Sequence, residues 1–276
     1  MTVMKVSVII PTHKPHAYLF PAIESVLQQS YDLLEVIVVN DGGGEAVTAP
    51  VKQKYPSVTI VELAENGGSG CARNAGAEAA TGELLAFLDS DDLWLPEKLS
   101  RQVEFLRSHP DSDCLHCGLI TFDEAGDIAE HTDKPSLLGE QDILFRGHVL
   151  PSSMLIKKDV FTSIGGFSPV LRIGEDYDLV IRLVKASNTI RFQPEALVRF
   201  RRMNQGNLSM DWVGILNSKR AVYHLHRDFF NAVGGRGHQL AFFSSLYNEC
   251  ASKARIFWRI PLKGISSILG LLAKLF

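Results

Sequence analysis

Leu84-Leu85-Ala86-Phe87-Leu88-Asp89-Ser90-Asp91-Asp92 decides the fold: an apolar run with the character of a buried strand stops in three carboxylates within four residues. Clustered negative charges repel one another and resist desolvation, so packing alone is a poor reason for such an ending. Two readings stand at this point. A divalent cation would neutralise the cluster, and hard oxygen ligands suit Mg²⁺ or Mn²⁺. Alternatively the segment is a solvated loop in which Asp91 or Asp92 caps a helix opened by Leu93-Trp94-Leu95-Pro96-Glu97.

The residues upstream favour a ligand site. Lys5-Val6-Ser7-Val8-Ile9-Ile10 is rich in β-branched residues and stops at Pro11-Thr12, which is a strand signature. Leu19, Ile23, Val26 and Leu27 recur at helical spacing within His16 to Gln29. A second apolar run, Glu35 to Val39, ends in Asn40-Asp41-Gly42-Gly43-Gly44. Helical residues from Glu45 to Tyr55 lead to a third strand, Val58 to Leu63. Asn66-Gly67-Gly68-Ser69-Gly70 then opens a helix over Cys71 to Ala80, which Thr81-Gly82 stops before the Leu84 strand. This alternation predicts an α/β fold, a mostly parallel Rossmann-like sheet with helices on both faces. Ligands bind such sheets at the carboxyl ends of the strands. Pro11-Thr12, Asp41, the glycine-rich turn and Asp89 to Asp92 all fall there.

Composition bounds the alternatives. A chain of 276 residues with net charge −3 has no bulk electrostatic reason to bind nucleic acid. Four irregularly spaced cysteines fit a reduced, intracellular compartment better than a disulfide framework. Cys114-Leu115-His116-Cys117 has no second ligand pair for zinc, and its alternation suggests a strand. Met1 to Ile10 has no h-region of a signal peptide, and no apolar run reaches the ~20 residues of a membrane span. A cytoplasmic protein is the expectation. The common nucleotide motifs fail as well: Arg73 stands where a dinucleotide fingerprint requires glycine, and no GK[ST] occurs. Phosphate handling then falls to a metal, helped by Arg73 and the amino end of its helix.

Ser7-Val8-Ile9-Ile10-Pro11-Thr12, Val38-Val39-Asn40-Asp41-Gly42, Gly70-Cys71-Ala72-Arg73-Asn74-x-Gly76 and Phe87-Leu88-Asp89-Ser90-Asp91-Asp92 occur in register. Together they resemble the family 2 glycosyltransferases, inverting enzymes of GT-A fold that use nucleotide-diphosphate sugars. The resemblance covers roughly residues 3–210. It implies a GT-A domain over 1–210, with a nucleotide-binding half (1–110) and an acceptor-binding half (111–210), and a helical extension over 211–276. It gives Thr12 and Asp41 to the base, Asp41 accepting from a uracil or thymine N3–H, and puts Arg73 near base or diphosphate. Pro11, Ser90 and Glu175 join these residues and Asp89 and Asp91 on the nucleotide sugar. Asp91 and Asp92 resemble the metal-bearing end of a DxD motif. Where the family commonly has Asp, this chain has Asn40, a departure of small consequence because the binding carboxylate matches Asp41.

In the second half, Gly165-Gly166-Phe167 resembles the family's element near acceptor and donor sugar, and Ile173-Gly174-Glu175-Asp176-Tyr177-Asp178 opens a helix. Acidic residues in a first turn complement the helix dipole. The resemblance further implies that Asp176 is the general base, taking the acceptor proton opposite the departing diphosphate. Relatives often carry a histidine at the metal where this chain has Asn204. The resemblance thus implies Mn²⁺ or Mg²⁺, a UDP-sugar before a dTDP- or GDP-sugar, and a saccharide or lipid-linked glycan acceptor. Lacking a QxxRW-type motif, the chain resembles single-addition enzymes rather than processive synthases. A sugar-nucleotide pyrophosphorylase would need a glycine- and Arg/Lys-rich loop where Pro11-Thr12-His13-Lys14-Pro15 stands. A non-catalytic nucleotide-sugar-binding protein is the other alternative, suggested by Asn204 and opposed by Asp91, Asp92 and Asp176.

At the carboxyl end, Ile265, Ile268, Leu269, Leu272 and Leu275 share one helical face, opposite Lys263, Ser266, Ser267, Gly270 and Lys274. With Lys253, Arg255 and Arg259 upstream, residues 253–276 could lie on an anionic inner membrane leaflet. A helix packed on its own domain or across a homodimer has the same pattern.

Overall fold

The structure, a computed structural model, describes residues 4–32, 34–145, 148–202, 211–235, 237–253 and 256–273. Its first half alternates as expected: Val6–Thr12 (β1), Leu19–Leu27 (α1), Leu34–Asp41 (β2), Glu45–Lys54 (α2), Thr59–Leu63 (β3), Ser69–Ala79 (α3) and Leu84–Phe87 (β4). β1 lies between β2 and β4, β3 flanks β2, and all three pairings are parallel. Both faces of these strands are covered. Val8, Ile10, Val36 and Val38 pack with α1 and α2, while Ile9, Ile37, Val39 and Phe87 pack with α3 on the other side. Continuous apolar runs are the sequence form of a strand buried twice. Gly76 lets α3 approach closely, because a Cβ there would lie 2.4 Å from Ile9 Cγ2.

Beyond β4 the sheet becomes mixed. Leu93–Trp94 (β5), Lys98–Ser108 (α4), Cys114–Asp123 (β6), Gly126–His131 (β7), Met154–Lys157 (β8), Lys158–Ser163 (α5), Glu175–Lys185 (α6) and Ile190–Arg201 (β9) follow. β8 runs antiparallel to β4 and β6, β9 runs parallel to β6, and β7 forms a hairpin on β6. The expected parallel character is therefore that of the first four strands. Leu93 and Trp94 do not open a helix. They pair antiparallel with Arg199 and Val198, and α4 starts only at Lys98, after Pro96 holds the preceding residue extended. This short pairing lays the acidic segment across the sheet toward the end of β9. Cys114 and Cys117 belong to opposite cores, so they cannot share a metal.

Trp212–Leu225 (α7), Arg227–Gly234 (α8), His238–Lys253 (α9) and Ile256–Ala273 (α10) complete the chain. Val222, Tyr223, Phe230, Phe242 and Leu246 share one core with Tyr177, Val180 and Ile181 of α6. The extension is thus packed on the helix that carries Asp176. No described helix is long and apolar enough to cross a membrane.

Candidate active site

Four carboxyl ends of strands converge, and the carboxylates found there have different surroundings. Asp41, at the end of β2, is buried; its Oδ1 and Oδ2 accept the backbone N–H groups of Gly67 and Gly68 at 2.8 and 2.9 Å. These amides precede α3, so Asp41 fixes the glycine-rich turn and keeps one further lone pair per oxygen for a ligand. The adjacent Thr12 is also buried, and no described residue bonds its Oγ1. A buried hydroxyl without a partner costs about 1–3 kcal/mol, which a bound polar ligand would recover. Pro11 lies beside it in β1, paired with Val39. His13 Nδ1 meets the carbonyl oxygen of Asp41 at 2.6 Å, and His16 Nε2 meets Ser90 Oγ at 3.0 Å. Burial lowers the pKa of His16, favouring a neutral ring.

Arg73 has an internal role. Its guanidinium is 3% exposed, donates to Asp89 and, at 2.9 Å, to Glu175 Oε1, and lies over the Phe167 ring. Glu175 also accepts from Ser69 Oγ at 2.7 Å. Buried among these carboxylates, Arg73 is held firmly charged. Both of its terminal nitrogens are engaged, so it braces the site from behind. Glu175 is likewise taken up by donors of its own chain.

The three aspartates after β4 separate sharply. Asp92 is 1% exposed; Ser152 Oγ donates to its Oδ2 at 2.7 Å and the backbone N–H of Arg201 to its Oδ1 at 2.9 Å. Ser152 Oγ also accepts the N–H of Asp89, and the Ser152 carbonyl accepts from Trp94 Nε1 at 2.8 Å. Asp92 thus anchors the segment, with both oxygens turned onto protein donors. Asp89 faces Arg73. Asp91 is half-buried, and among the described residues no other side chain donates to its carboxylate. Burial and the nearby Asp89 push its pKa up to about 6. Arg201 donates from Nε to the Asp91 carbonyl at 2.8 Å and stacks between Tyr18 and Phe122.

Among the described residues Asp176, like Asp91, forms no ion pair and accepts from no other side chain. It lies in the first turn of α6, its Oδ1 accepts the N–H of Tyr177 at 2.7 Å, and burial followed by the charge of Glu175 raises its pKa to about 6. Gly174 starts this helix in the left-handed region (φ 80°), and a Cβ there would meet Ser218 Oγ of α7 at 2.6 Å. Two residues on, Asp178 accepts from Arg182 Nε and Nη2 at 2.9 and 2.6 Å and shares a 2.8 Å hydrogen bond with His226 Nε2. Burial raises its pKa, but His226 and Arg182 pull it below the ordinary value. Arg182 also donates to the carbonyls of Ile164 and Gly166, which brings the Gly165-Gly166-Phe167 turn beside the helix.

The structure therefore brings together Pro11, Thr12, Asp41, Arg73, Asp89, Ser90, Asp91, Asp92, Glu175 and Asp176 at one edge, while Asn204 lies outside the described residues. Sequence reasoning missed Ser152, His16, Tyr18 and His226. The only signal for the histidine was its place in the turn after β1. A cleft of about 1190 Å³ at the other end of the parallel strands, lined by Met4, Leu84, Leu106 and Pro110, is remote from all of these groups.

Residues 7–164 match the family described as Glycosyl transferase family 2. The chain belongs to glycosyltransferase family 2. An uncharacterized glycosyltransferase of Haemophilus influenzae is 30% identical over 184 residues, 65% of this chain and 62% of the relative. One of Rickettsia felis is 32% identical over 204 residues, 71% of this chain but 34% of the relative. The chain thus spans from a third to under two thirds of these relatives' lengths. A putative teichuronic acid biosynthesis glycosyltransferase of Bacillus subtilis, TuaG, is 28% identical over 75% of this chain and 82% of its own. Among solved structures, S. aureus TarS 1–349 with UDP-GlcNAc superposes with a TM-score of 0.64 at 19% identity, over 98% of this chain and 89% of that one. The mannosyltransferase PcManGT of Pyrobaculum calidifontis, with GDP-Man and Mn²⁺, gives 0.66 at 16% identity, over 99% and 87%. These likenesses show the fold, which is GT-A.

Proposed function

We propose that this family member transfers a sugar, with inversion, from a nucleotide-diphosphate sugar to a hydroxyl of a saccharide or lipid-linked glycan, and that UDP-sugars are its preferred donors. The observation that carries the reading is Asp176: a carboxylate that forms no ion pair among the described residues, raised to about 6, in the first turn of α6 beside the Arg73–Glu175 pair. A base with that pKa is ionised at neutral pH yet holds a proton well in the transition state. Asp176 accepts the acceptor hydroxyl proton while that oxygen bonds to the anomeric carbon, and the bond from that carbon to the diphosphate oxygen breaks on the opposite face. Thr12 and Asp41 hold the base, with Asp41 also ordering the Gly67-Gly68 turn. TarS with UDP-GlcNAc and PcManGT with GDP-Man are neighbours in fold, and TuaG supports a role in surface-polysaccharide synthesis.

The residues fit a divalent cation. Asp89, Asp91, Asp92, Glu175 and Asp176 outnumber Arg73 and Arg201 at this edge, and burial, followed by the charge of Asp89, raises the pKa of Asp91. Among the described residues no three His, Cys, Asp or Glu side chains form a closed cage. Mg²⁺-like ions are commonly bound through one or two carboxylates plus substrate phosphates, so an open site suits them. Asp91, with Asn204 and the diphosphate, would hold Mn²⁺ or Mg²⁺, which offsets charge growing on the departing group. Asp92, with one further lone pair on each oxygen, would join them and also fixes the segment that carries Asp91.

The test is a donor screen for transfer and hydrolysis across sugar nucleotides, paired with calorimetry of UDP binding with and without Mn²⁺. Asp176→Asn keeps donor binding and loses transfer; retained turnover sinks the base assignment. Asp91→Ala abolishes the Mn²⁺-dependent part of UDP binding. Tight donor binding by the wild type with no turnover on any donor would make the chain a binding protein instead.

A further inference from the structure

The turn after β1 sets the polarity of a hydroxyl at the centre of the acidic segment. His16 and Ser90 are both half-buried, and the ring Nε2 meets Ser90 Oγ at 3.0 Å. The other ring nitrogen, Nδ1, lies 3.3 Å from the backbone nitrogen of Tyr18 and can only accept its N–H. A neutral imidazole has one N–H, and the bond made by one nitrogen decides which of them carries it. With Nδ1 accepting, the hydrogen is on Nε2, so His16 donates and Ser90 Oγ accepts. Burial, which lowers the pKa of His16, keeps the ring in this neutral form.

The consequence falls on Ser90. Among the described residues His16 is the hydrogen-bond partner of Ser90 Oγ and takes one of its lone pairs, so the hydroxyl hydrogen is left without an acceptor. The opposite tautomer would consume that hydrogen and turn only lone pairs toward an incoming anion, which repels them. The same turn holds the next residue: the guanidinium of Arg201 lies 4.0 Å from the centre of the Tyr18 ring, and its Nε donates to the carbonyl of Asp91 at 2.8 Å. Ser90 is thus held by its side chain and Asp91 by its backbone. The Ser90 hydrogen, a donor for an anion, stands next in sequence to the Asp91 carboxylate, a charge for a cation. Arg73 cannot take the place of that donor, because both of its terminal nitrogens are engaged by Asp89 and Glu175. We propose that His16 is a positioning residue of the donor site, which by donating to Ser90 Oγ leaves the Ser90 hydrogen for a diphosphate oxygen of the nucleotide sugar. The inference rests on the donor reading and deepens it.

The experiment is calorimetry of the full chain with UDP in the presence of Mn²⁺, with uridine as the control that lacks the diphosphate. Ser90→Ala weakens UDP binding at least ~tenfold, the loss of one hydrogen bond to a charged group. His16→Leu weakens it about threefold, because the freed hydroxyl spreads over three staggered positions. The double variant is no weaker than Ser90→Ala alone, since His16 acts through Ser90. Uridine affinity stays that of the wild type throughout, which a general loss of structure would not allow. His16→Gln, whose amide nitrogen takes the place of Nε2, keeps the wild-type UDP affinity and carries the test if the leucine variant is unstable. Proton–nitrogen correlation spectra of the ligand-free protein report the His16 tautomer directly, with the hydrogen expected on Nε2. A hydrogen on Nδ1, losses that multiply in the double variant, equal losses for UDP and uridine, or a loss in His16→Gln as large as that in Ser90→Ala overturns the inference. A wild type that binds no UDP refutes the donor reading itself, whereas UDP binding that neither His16→Leu nor Ser90→Ala weakens refutes only the role given to this pair.

Discussion

Replacing Arg73 by methionine tests whether this residue braces the site or binds the donor. The guanidinium is 3% exposed and compensates two carboxylates, one of which, Glu175, is itself 7% exposed. Methionine keeps the hydrophobic stem over Phe167 but strands Asp89 and Glu175 without a counter-charge. Removing one partner of a buried ion pair costs about 3–5 kcal/mol, because the remaining charge cannot return to water. Against a total stability of about 5–15 kcal/mol, that loss is large. The pH dependence gives a second, independent signature. The stranded carboxylates take up protons more readily when folded, so their folded pKa rises above the unfolded value. Stability is then lost as pH rises, and the deficit relative to wild type widens from about pH 5 to about pH 8. Urea denaturation at the two pH values measures this. Arg73→Met, Glu175→Gln recovers part of the loss, since the amide no longer carries an unpaired charge. A donor ligand would behave differently: wild-type stability, with UDP affinity reduced at least ~tenfold at every pH. That outcome refutes the internal role.

Three further outcomes follow from the same geometry. The rate constant kcat/KM climbs about tenfold per pH unit below 6 and levels above it, as Asp176 ionises through its raised pKa; a profile flat between about pH 5 and 7 in stopped assays would remove Asp176 as base. His226→Ala costs about 1–3 kcal/mol in denaturation, because Asp178 loses one buried donor while Arg182 still neutralises it, and it lowers kcat more than KM if the extension orients α6. Gly76→Ala costs about 1–3 kcal/mol from overpacking against Ile9 and Val39, measured as a lower denaturation midpoint with unchanged UDP affinity in the surviving native fraction.

The first half of the fold was legible because its strands are buried on both faces and its helices are amphipathic, so period and position agree. The second half was less so: β8 and β9 become antiparallel and parallel partners through contacts between distant segments, and Leu93-Trp94 looks helical until Arg199 and Val198 pair with it. The candidate site shows the same division. That carboxylates gather at one edge follows from strand ends alone. Which of them is free does not. Asp89, Asp91 and Asp92 are chemically alike and adjacent, and a motif treats the last two as equivalent metal ligands. Asp92 is tied to Ser152 and to the backbone of Arg201, groups 60 and 109 positions away. Asp89 is spent on Arg73, which Glu175 holds from the far half of the chain. Among the described residues Asp91 alone of the three is left without a side-chain donor, and the distinction is made by residues that come from elsewhere. The same logic applies at α6, where Glu175 is held by Ser69 and Arg73 and Asp178 by Arg182 and His226, so that of these three carboxylates Asp176 is the one that no other described side chain occupies, which is why the proposed base is placed there.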